Sequence, residues 1–343
     1  MLKLYTKKEF LTETYRRQVF PLLFDLVFLN NKTLLEHYRI VDTVSDADIV
    51  VFPVDYGMFL KQNAAFISLL QLAKQHQKPI WIYTAGDYGF STYIANSYTF
   101  RLGGFDSKLD RTTNIIPSFI NDPYAVYLPN GFLPLKKENK PSIGFVGHAQ
   151  SGLLKYFKEY TNHLKYQVKR ILNRLLADKQ SFYPSSIKRA NYLSKLASKD
   201  SLKTEFILRN KYRAGSHTVQ TQKESTQQFY DNIFNNAYTF CSRGVGNFSV
   251  RFYEALAVGR IPILLNTDCR LPLHNSMDWS KHILILDETK VESIEEQILQ
   301  FHNSLSDSEF ENIQKSNREL WLTTLRRDVY YIEIAKQFKK IKQ

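Results

Sequence analysis

Six short apolar runs constrain this chain more than anything else in it. They are Asp48–Val54 (DIVVFPV), Pro79–Thr84 (PIWIYT), Ser142–Gly147 (SIGFVG), Tyr238–Ser242 (YTFCS), Ile261–Leu265 (IPILL) and Ile283–Leu286 (ILIL). None shows the polar alternation of a half-exposed strand. Each reads as a strand buried on both faces, and such strands belong to parallel sheets covered by helices on both sides. Longer stretches with helical spacing separate them: 10–30, 55–75, 153–179, 187–198, 226–236, 249–258, 290–302 and 307–341. Leu2–Thr6 and Phe206–Leu208 read as further strands. The expected class is therefore α/β.

The pattern is interrupted at 129–141 (PNGFLPLKKENKP), a turn-rich and charged stretch of the kind that joins domains. A length of 343 residues suits two domains. The expectation is a Rossmann-like domain over 1–135, a second over 141–320, and a C-terminal helix, 321–343, that could pack back toward the first domain. Ligands of such sheets bind beyond the carboxyl ends of the strands, and clefts between domains are common small-molecule sites.

Charge bears on the partner. Lys and Arg number 46 against 33 Asp and Glu, a net charge of +13. That suits nucleic acid, an anionic membrane face or a nucleotide sugar. The charge is spread along the chain and no RNP, KH, zinc-finger or helix-turn-helix pattern occurs, which disfavours nucleic acid. Two cysteines, Cys241 and Cys269, give no disulfide framework and suit a reducing compartment, so a cytoplasmic location is expected. Val19–Leu29 is too short to cross a bilayer, and Pro21 and Asp25 spoil it as a signal segment. It is read as a buried amphipathic helix. The Lys-rich stretch 153–179 and the tail from Gln337 have two readings: solvated faces, or a hold on the inner face of an anionic membrane near a lipid-linked acceptor.

The segment richest in chemistry is Cys241–Gly259 (CSRGVGNFSVRFYEALAVG). A strand ends near Ser242. Gly244 and Gly246 allow tight turning and close backbone approach to a ligand. Ser249 or Asn247 can cap the helix that follows, and Gly259 ends it. The free N–H groups of a helix N-terminus bind anions, and Arg243 and Arg251 beside it suit a diphosphate. Glu254, three residues beyond Arg251 and on the same face, can accept two bonds from a vicinal diol such as ribose. The bland alternative is a strand–loop–helix connection in which Arg and Glu pair with each other.

Arg243–Pro262 (RGVGNFSVRFYEALAVGRIP) closely resembles the core motif of the exostosin family, glycosyltransferase family 47, and Asn266–Pro272 (NTDCRLP) is similar to the stretch the family places next. Weaker similarity reaches Phe206–Gly215 (FILRNKYRAG), Ile115–Pro123 and Ser142–Gly147. The similarity is to compact bacterial-type members, for which no stem or membrane anchor is expected. The resemblance implies a GT-B fold, with acceptor bound mainly by the first domain and nucleotide-sugar donor by the second. It implies inversion at the anomeric carbon, Arg251 on the donor diphosphate, Glu254 on the ribose, and the loop 243–249 lining the phosphate pocket.

The remaining candidates are weaker. Arg209 and Arg213 are either further phosphate ligands or solvated side chains. His148, at the carboxyl end of its strand, is a candidate for catalysis or phosphate binding. Asp55 and Asp87 follow buried strands of the first domain, where a carboxylate could act as general base. Asp87, between Gly86 and Gly89, is preferred, with His148 second. Asp46-Ala-Asp48 matches the metal-binding D-x-D pattern but precedes its strand, so it reads as turn chemistry. No metal and no other cofactor is expected. The expected activity is transfer from a nucleotide sugar, UDP-linked by preference, to a glycan or lipid-linked glycan hydroxyl. The alternatives are a GT-B nucleotide-sugar epimerase and, less favoured, a nucleic-acid-binding protein.

Overall fold

The computed structural model describes residues 1–210, 218–287, 289–290 and 292–342. Strands β1 (Leu2–Tyr5), β2 (Tyr38–Ile40), β3 (Ile49–Val51), β4 (Ile80–Tyr83), β5 (Ser97–Arg101) and β6 (Thr113–Ile115) form one sheet, in the order β2-β1-β3-β4-β5-β6. Strands β7 (Ser142–His148), β8 (Lys203–Arg209), β9 (Tyr238–Cys241), β10 (Ile261–Leu265) and β11 (Leu284–Leu286) form a second, in the order β11-β10-β9-β7-β8. Every neighbouring pair in both sheets is parallel. Two parallel-sheet α/β units facing one another make the GT-B arrangement.

Helices α1 (Pro21–Val27), α2 (Lys32–Leu35), α3 (Tyr56–Leu60), α4 (Asn63–Gln75) and α5 (Pro123–Val126) precede the second sheet. Helices α6 (Leu153–Ile171), α7 (Ser185–Ala197), α8 (Val219–Asn235), α9 (Val250–Val258), α10 (Ile294–Ser304) and α11 (Asp307–Leu320) are interleaved with it or follow it. The last helix, α12 (Arg327–Lys342), crosses to the first sheet. Its Tyr330, Tyr331, Ile334, Ala335 and Phe338 are buried in that sheet's core, with Phe338 edge-on to Trp81. The connections from β4 to β5 and from β5 to β6 hold no α-helix, so α12 supplies apolar cover there.

Three helical expectations need correction. Residues 10–30 hold only the seven-residue α1. Val19 forms a bridge with Val54 instead, and Pro21, which lacks an N–H, can only open the helix at its first turn. The expected helix 153–179 stops at Ile171, and Asn173 adopts a left-handed φ of 53°. The expected helix 307–341 is divided by a π-turn at Trp321–Leu325 and by extended backbone at Arg326. There the chain passes from one sheet to the other.

The two halves are pinned by polar contacts. Arg101 pairs with Asp178 at 2.6 Å, Arg270 with Asp106 at 2.5 Å, and Arg318 with Asp122 at 2.7 Å. Asp25, buried on α1, accepts from Arg327 Nε at 2.6 Å. Burial outweighs that pairing and pushes its carboxyl up to about 6.

Candidate active site

In the second sheet the chain leaves β7 toward β8 on one side and returns to β9 on the other. The carboxyl ends of β7 and β9 therefore diverge at a topological switch point, where sheets of this kind bind ligands. A cavity of about 1090 Å³ opens there. The strand ends supply Gly147, His148, Arg209 and Ser242 to its wall, and the loop 243–249 and α9 supply Arg243, Gly244, Arg251 and Glu254. From the first half, Asp87, Tyr88 and Tyr127 reach it.

The polypeptide shapes this wall by close approach at two glycines. A Cβ on Gly246 would sit 2.0 Å from the Asp87 carbonyl oxygen, so Gly246 lets the two halves' loops touch. A Cβ on Gly147 would lie 2.6 Å from Arg251 Nη2, so Gly147 makes room for that guanidinium. Neither Gly244 nor Gly246 has a positive φ, so left-handed backbone does not demand glycine at either; at Gly246 it is the close approach of the Asp87 loop that excludes a side chain. A Cβ on Gly244 would meet nothing within 4 Å, because this residue faces the open cavity.

The electrostatics are cationic. Lys155, Arg189, Arg209, Arg243 and Arg251 line the cavity, and of these Lys155 is paired with Glu159 at 3.5 Å. Arg251 stacks over Phe145 at 4.1 Å and donates to the Val146 carbonyl at 2.7 Å. Its Nε is buried without a hydrogen-bond partner among the described residues, and so is that of Arg243. Burial lowers the pKa of both guanidiniums. In Arg189, burial and the neighbouring Arg251 depress it to about 10. Cations held together against desolvation and mutual repulsion are relieved by a polyanion.

Helix α9 aims its N-terminus at the same place. Ser249 occupies the N-cap position, but its hydroxyl makes no capping bond, contrary to the expected role. Among the described residues the N–H groups of Val250 and Arg251 have no acceptor. Gly259 ends the helix with a left-handed φ of 73°. Glu254, one turn in, has no hydrogen bond or ion pair with any described residue, so the expected Arg–Glu alternative does not form. Burial pushes its carboxyl up to about 7, with Arg251 opposing.

Other expected site residues fall differently. Asn247 is turned away from the cavity. Its Nδ2 donates to the carbonyls of Gly104, Thr267 and Asp268 at 3.2, 2.9 and 3.0 Å, and its Oδ1 accepts from Thr267 at 2.6 Å. It clamps the two halves together, a role that a short amide with four bonding sites fills better than a ligand contact would. Arg209 reaches the cavity edge, where it donates to Ser225 and Gln228 of α8 at 2.9 Å. Arg213 lies outside the described residues.

Of the candidate bases, Asp55 is used up structurally. One oxygen caps α3 through Met58 N–H, and the other accepts from Ala85 N–H at 2.7 Å. Asp87 is exposed at the cavity rim, and its carboxylate has no hydrogen bond or ion pair among the described residues. His148 donates through Nδ1 to the Arg209 carbonyl at 3.0 Å, which leaves Nε2 to accept from Lys155 at 2.8 Å. Burial and the nearby Lys155 hold its pKa below the usual imidazole range. Asp46 accepts from Thr43 at 2.6 Å and Asp48 from Lys3 N–H at 2.9 Å, both at the amino end of β3. Among the described residues there is no group of three or more His, Cys, Asp or Glu placed to hold a metal.

Sequence reasoning misses Arg189. From α7 it donates to Ser242 Oγ at 2.9 Å, to the His148 carbonyl at 2.7 Å and to the Arg243 carbonyl at 2.9 Å. It thus ties the diverging ends of β7 and β9 together. In sequence it sits in Ser185-Ser-Ile-Lys-Arg189, an ordinary basic helix start with no signature of its role.

Comparison with known proteins adds the following. Residues 175–300 match the Exostosin GT47 domain, a segment that holds Arg189, Arg209, Arg243, Arg251 and Glu254. Among solved structures, the chain is similar to the GtfA/B complex at 10% identity and a TM-score of 0.38, over 91% of this chain and 60% of that one. It is similar to TarM at 10% identity and a TM-score of 0.37, over 85% and 54%. It is also similar to a glycosyltransferase from Rickettsia africae ESF-5 at 11% identity and a TM-score of 0.38, over 98% of each chain. The chain thus spans a little over half of the first two proteins, and at these identities none bears on individual site residues.

Proposed function

We propose that the protein is an inverting glycosyltransferase that uses a nucleoside-diphosphate sugar, UDP-linked by preference, and a hydroxyl of a glycan or lipid-linked glycan as acceptor. In this reading 141–320 is the donor domain, 1–135 the acceptor side, and 321–343 the helix that joins back. The observation that carries it is the cluster of Arg189, Arg243 and Arg251 at the switch point, beside an uncapped helix N-terminus and a half-buried Glu254 with no partner among the described residues. Guanidiniums and helix N–H groups stabilise the charge that develops on a departing diphosphate. Glu254 accepts the ribose hydroxyls, and Asp87, supplied by the first half, takes the acceptor proton. Enclosure between the two halves keeps water from the donor.

The test is UDP release from UDP-sugars in the presence and absence of glycan acceptors. Release that depends on acceptor and persists in EDTA is expected. A nucleotide sugar converted without any acceptor favours the epimerase alternative, and activity lost to EDTA and restored by Mn²⁺ or Mg²⁺ overturns the metal-free mechanism.

The Glu254 assignment has a separate signature. Its carboxyl is protonated below about pH 7 in the free protein. Ribose hydroxyls donate to the ionised form and so pull the pKa down. Donor binding below pH 7 therefore releases a proton, and affinity falls as pH drops through that value. His148 has the opposite sign, because a nearby phosphate would draw a proton onto it. Calorimetry of a UDP-sugar in two buffers of different ionisation enthalpy reads the difference, and Glu254→Gln should abolish the release.

A further inference from the structure

Helix α6 carries an apolar face that the other described residues, apart from Phe182 edge-on to Tyr160, leave open to solvent. Leu153, Phe157, Tyr160, Leu164, Val168 and Ile171 recur at steps of three and four, which sets them on one side of the helix. All six are exposed, Leu153 at 78%, Ile171 at 69% and Phe157 at 61%. Leu154 beside them is 89% exposed. Lys158, Lys165 and Lys169, each one position beyond a stripe residue, are exposed along its border. The opposite side of the helix is occupied. Lys155, Glu159, Asn162 and His163 line the active-site cavity, and Tyr166 packs against Tyr88 at 4.3 Å between ring centres.

We infer that α6 is an interfacial helix that lays its apolar face into an anionic lipid bilayer. The occupant follows from the charge pattern. A row of lysines bordering an apolar stripe places ammonium groups at headgroup level while the stripe enters the acyl boundary. A protein partner would need its own matching apolar ridge, whereas a bilayer needs only the stripe and the negative charge that complements the lysines and the net +13 of the chain. The same helix would then hold the cavity about one helix diameter, roughly 10 Å, from the lipid surface. The surface contact requires no transfer reaction. Its use, bringing a lipid-linked acceptor to the cavity edge, rests on the transferase reading. The Lys-rich tail from Gln337 does not share this design, since its Phe338 is turned into the first core.

The experiment is co-sedimentation of the full chain with vesicles, read without donor or acceptor so that its outcome is separate from the transferase test. Vesicles of phosphatidylcholine with about one third phosphatidylglycerol should carry the protein down, pure phosphatidylcholine should not, and salt should weaken the binding. Two triple variants, Phe157→Ser/Leu164→Ser/Ile171→Ser and Lys158→Ser/Lys165→Ser/Lys169→Ser, should each lower partitioning by about tenfold or more. Both should keep the wild-type far-UV circular dichroism spectrum and unfolding temperature to within a few degrees, which shows that the fold survives. Wild-type protein that stays in solution with anionic vesicles overturns the inference, as do variants that partition as well as wild type. So does a concentration-dependent dimer, seen by sedimentation without lipid and abolished by the apolar variant, because the stripe would then be covered by a second copy.

Discussion

Replacing Asp87 with Asn lowers kcat by about 10²–10⁴, the loss typical of a positioned general base, and leaves UDP affinity near wild type. The expectation rests on where the groups lie. An inverting transfer needs one group to take the acceptor proton as the new bond forms. Asp87 stands at the cavity rim, contributed by the first half beyond the carboxyl end of β4. Its carboxylate is exposed and free of other duties among the described residues, and its backbone is held against Gly246, which fixes the loop. The rivals are less available. Both Asp55 oxygens accept backbone N–H groups, and His148 has its second nitrogen against Lys155. Steady-state kinetics and UDP calorimetry on the same variant decide the matter. A variant that retains more than about a tenth of the rate, far short of the loss of a base, moves the role to His148.

Arg251→Ala weakens UDP binding by about 1.5–3 kcal/mol, the scale of a hydrogen bond to a charged group, or roughly ten- to 150-fold in Kd. Arg251 is anchored on one side by Phe145 and the Val146 carbonyl, so it needs little ordering when a diphosphate arrives. Its buried Nε has no hydrogen-bond partner among the described residues. Arg251→Lys keeps the charge but loses the planar stack and the fork of donors, so it should recover only part of the affinity. Calorimetry with UDP checks both, and an unchanged Kd in Arg251→Ala rules out the assigned role.

How much of this is legible in the sequence depends on burial. The strands β3, β4, β7, β9, β10 and β11 are predominantly apolar and can be read directly. Strands β2 (Tyr38–Ile40), β5 (Ser97–Arg101) and β6 (Thr113–Ile115) are short or carry polar side chains, because they lie at or near the edge of the first sheet or pair through residues such as Thr99 and Thr113. Their pairing partners, not their own composition, make them strands. The site divides in the same way. Arg243, Arg251 and Glu254 lie within one contiguous motif, and its spacing reveals them. Arg189 is remote in sequence and enters the site only because α7 packs beside the ends of β7 and β9. Asn247 sits inside the motif yet serves the interface between the halves, a distinction that only the direction of its side chain reveals.

The central claim is that a nucleoside diphosphate binds at the switch point of the second sheet, on the N-terminus of α9. A crystal structure of the complex with UDP tests it most directly. The account predicts diphosphate oxygens within hydrogen-bond distance of the Val250 and Arg251 N–H groups and the Arg251 guanidinium, with the ribose hydroxyls on Glu254. UDP bound against the first sheet, or in the cavity with α9 and Glu254 untouched, would contradict it.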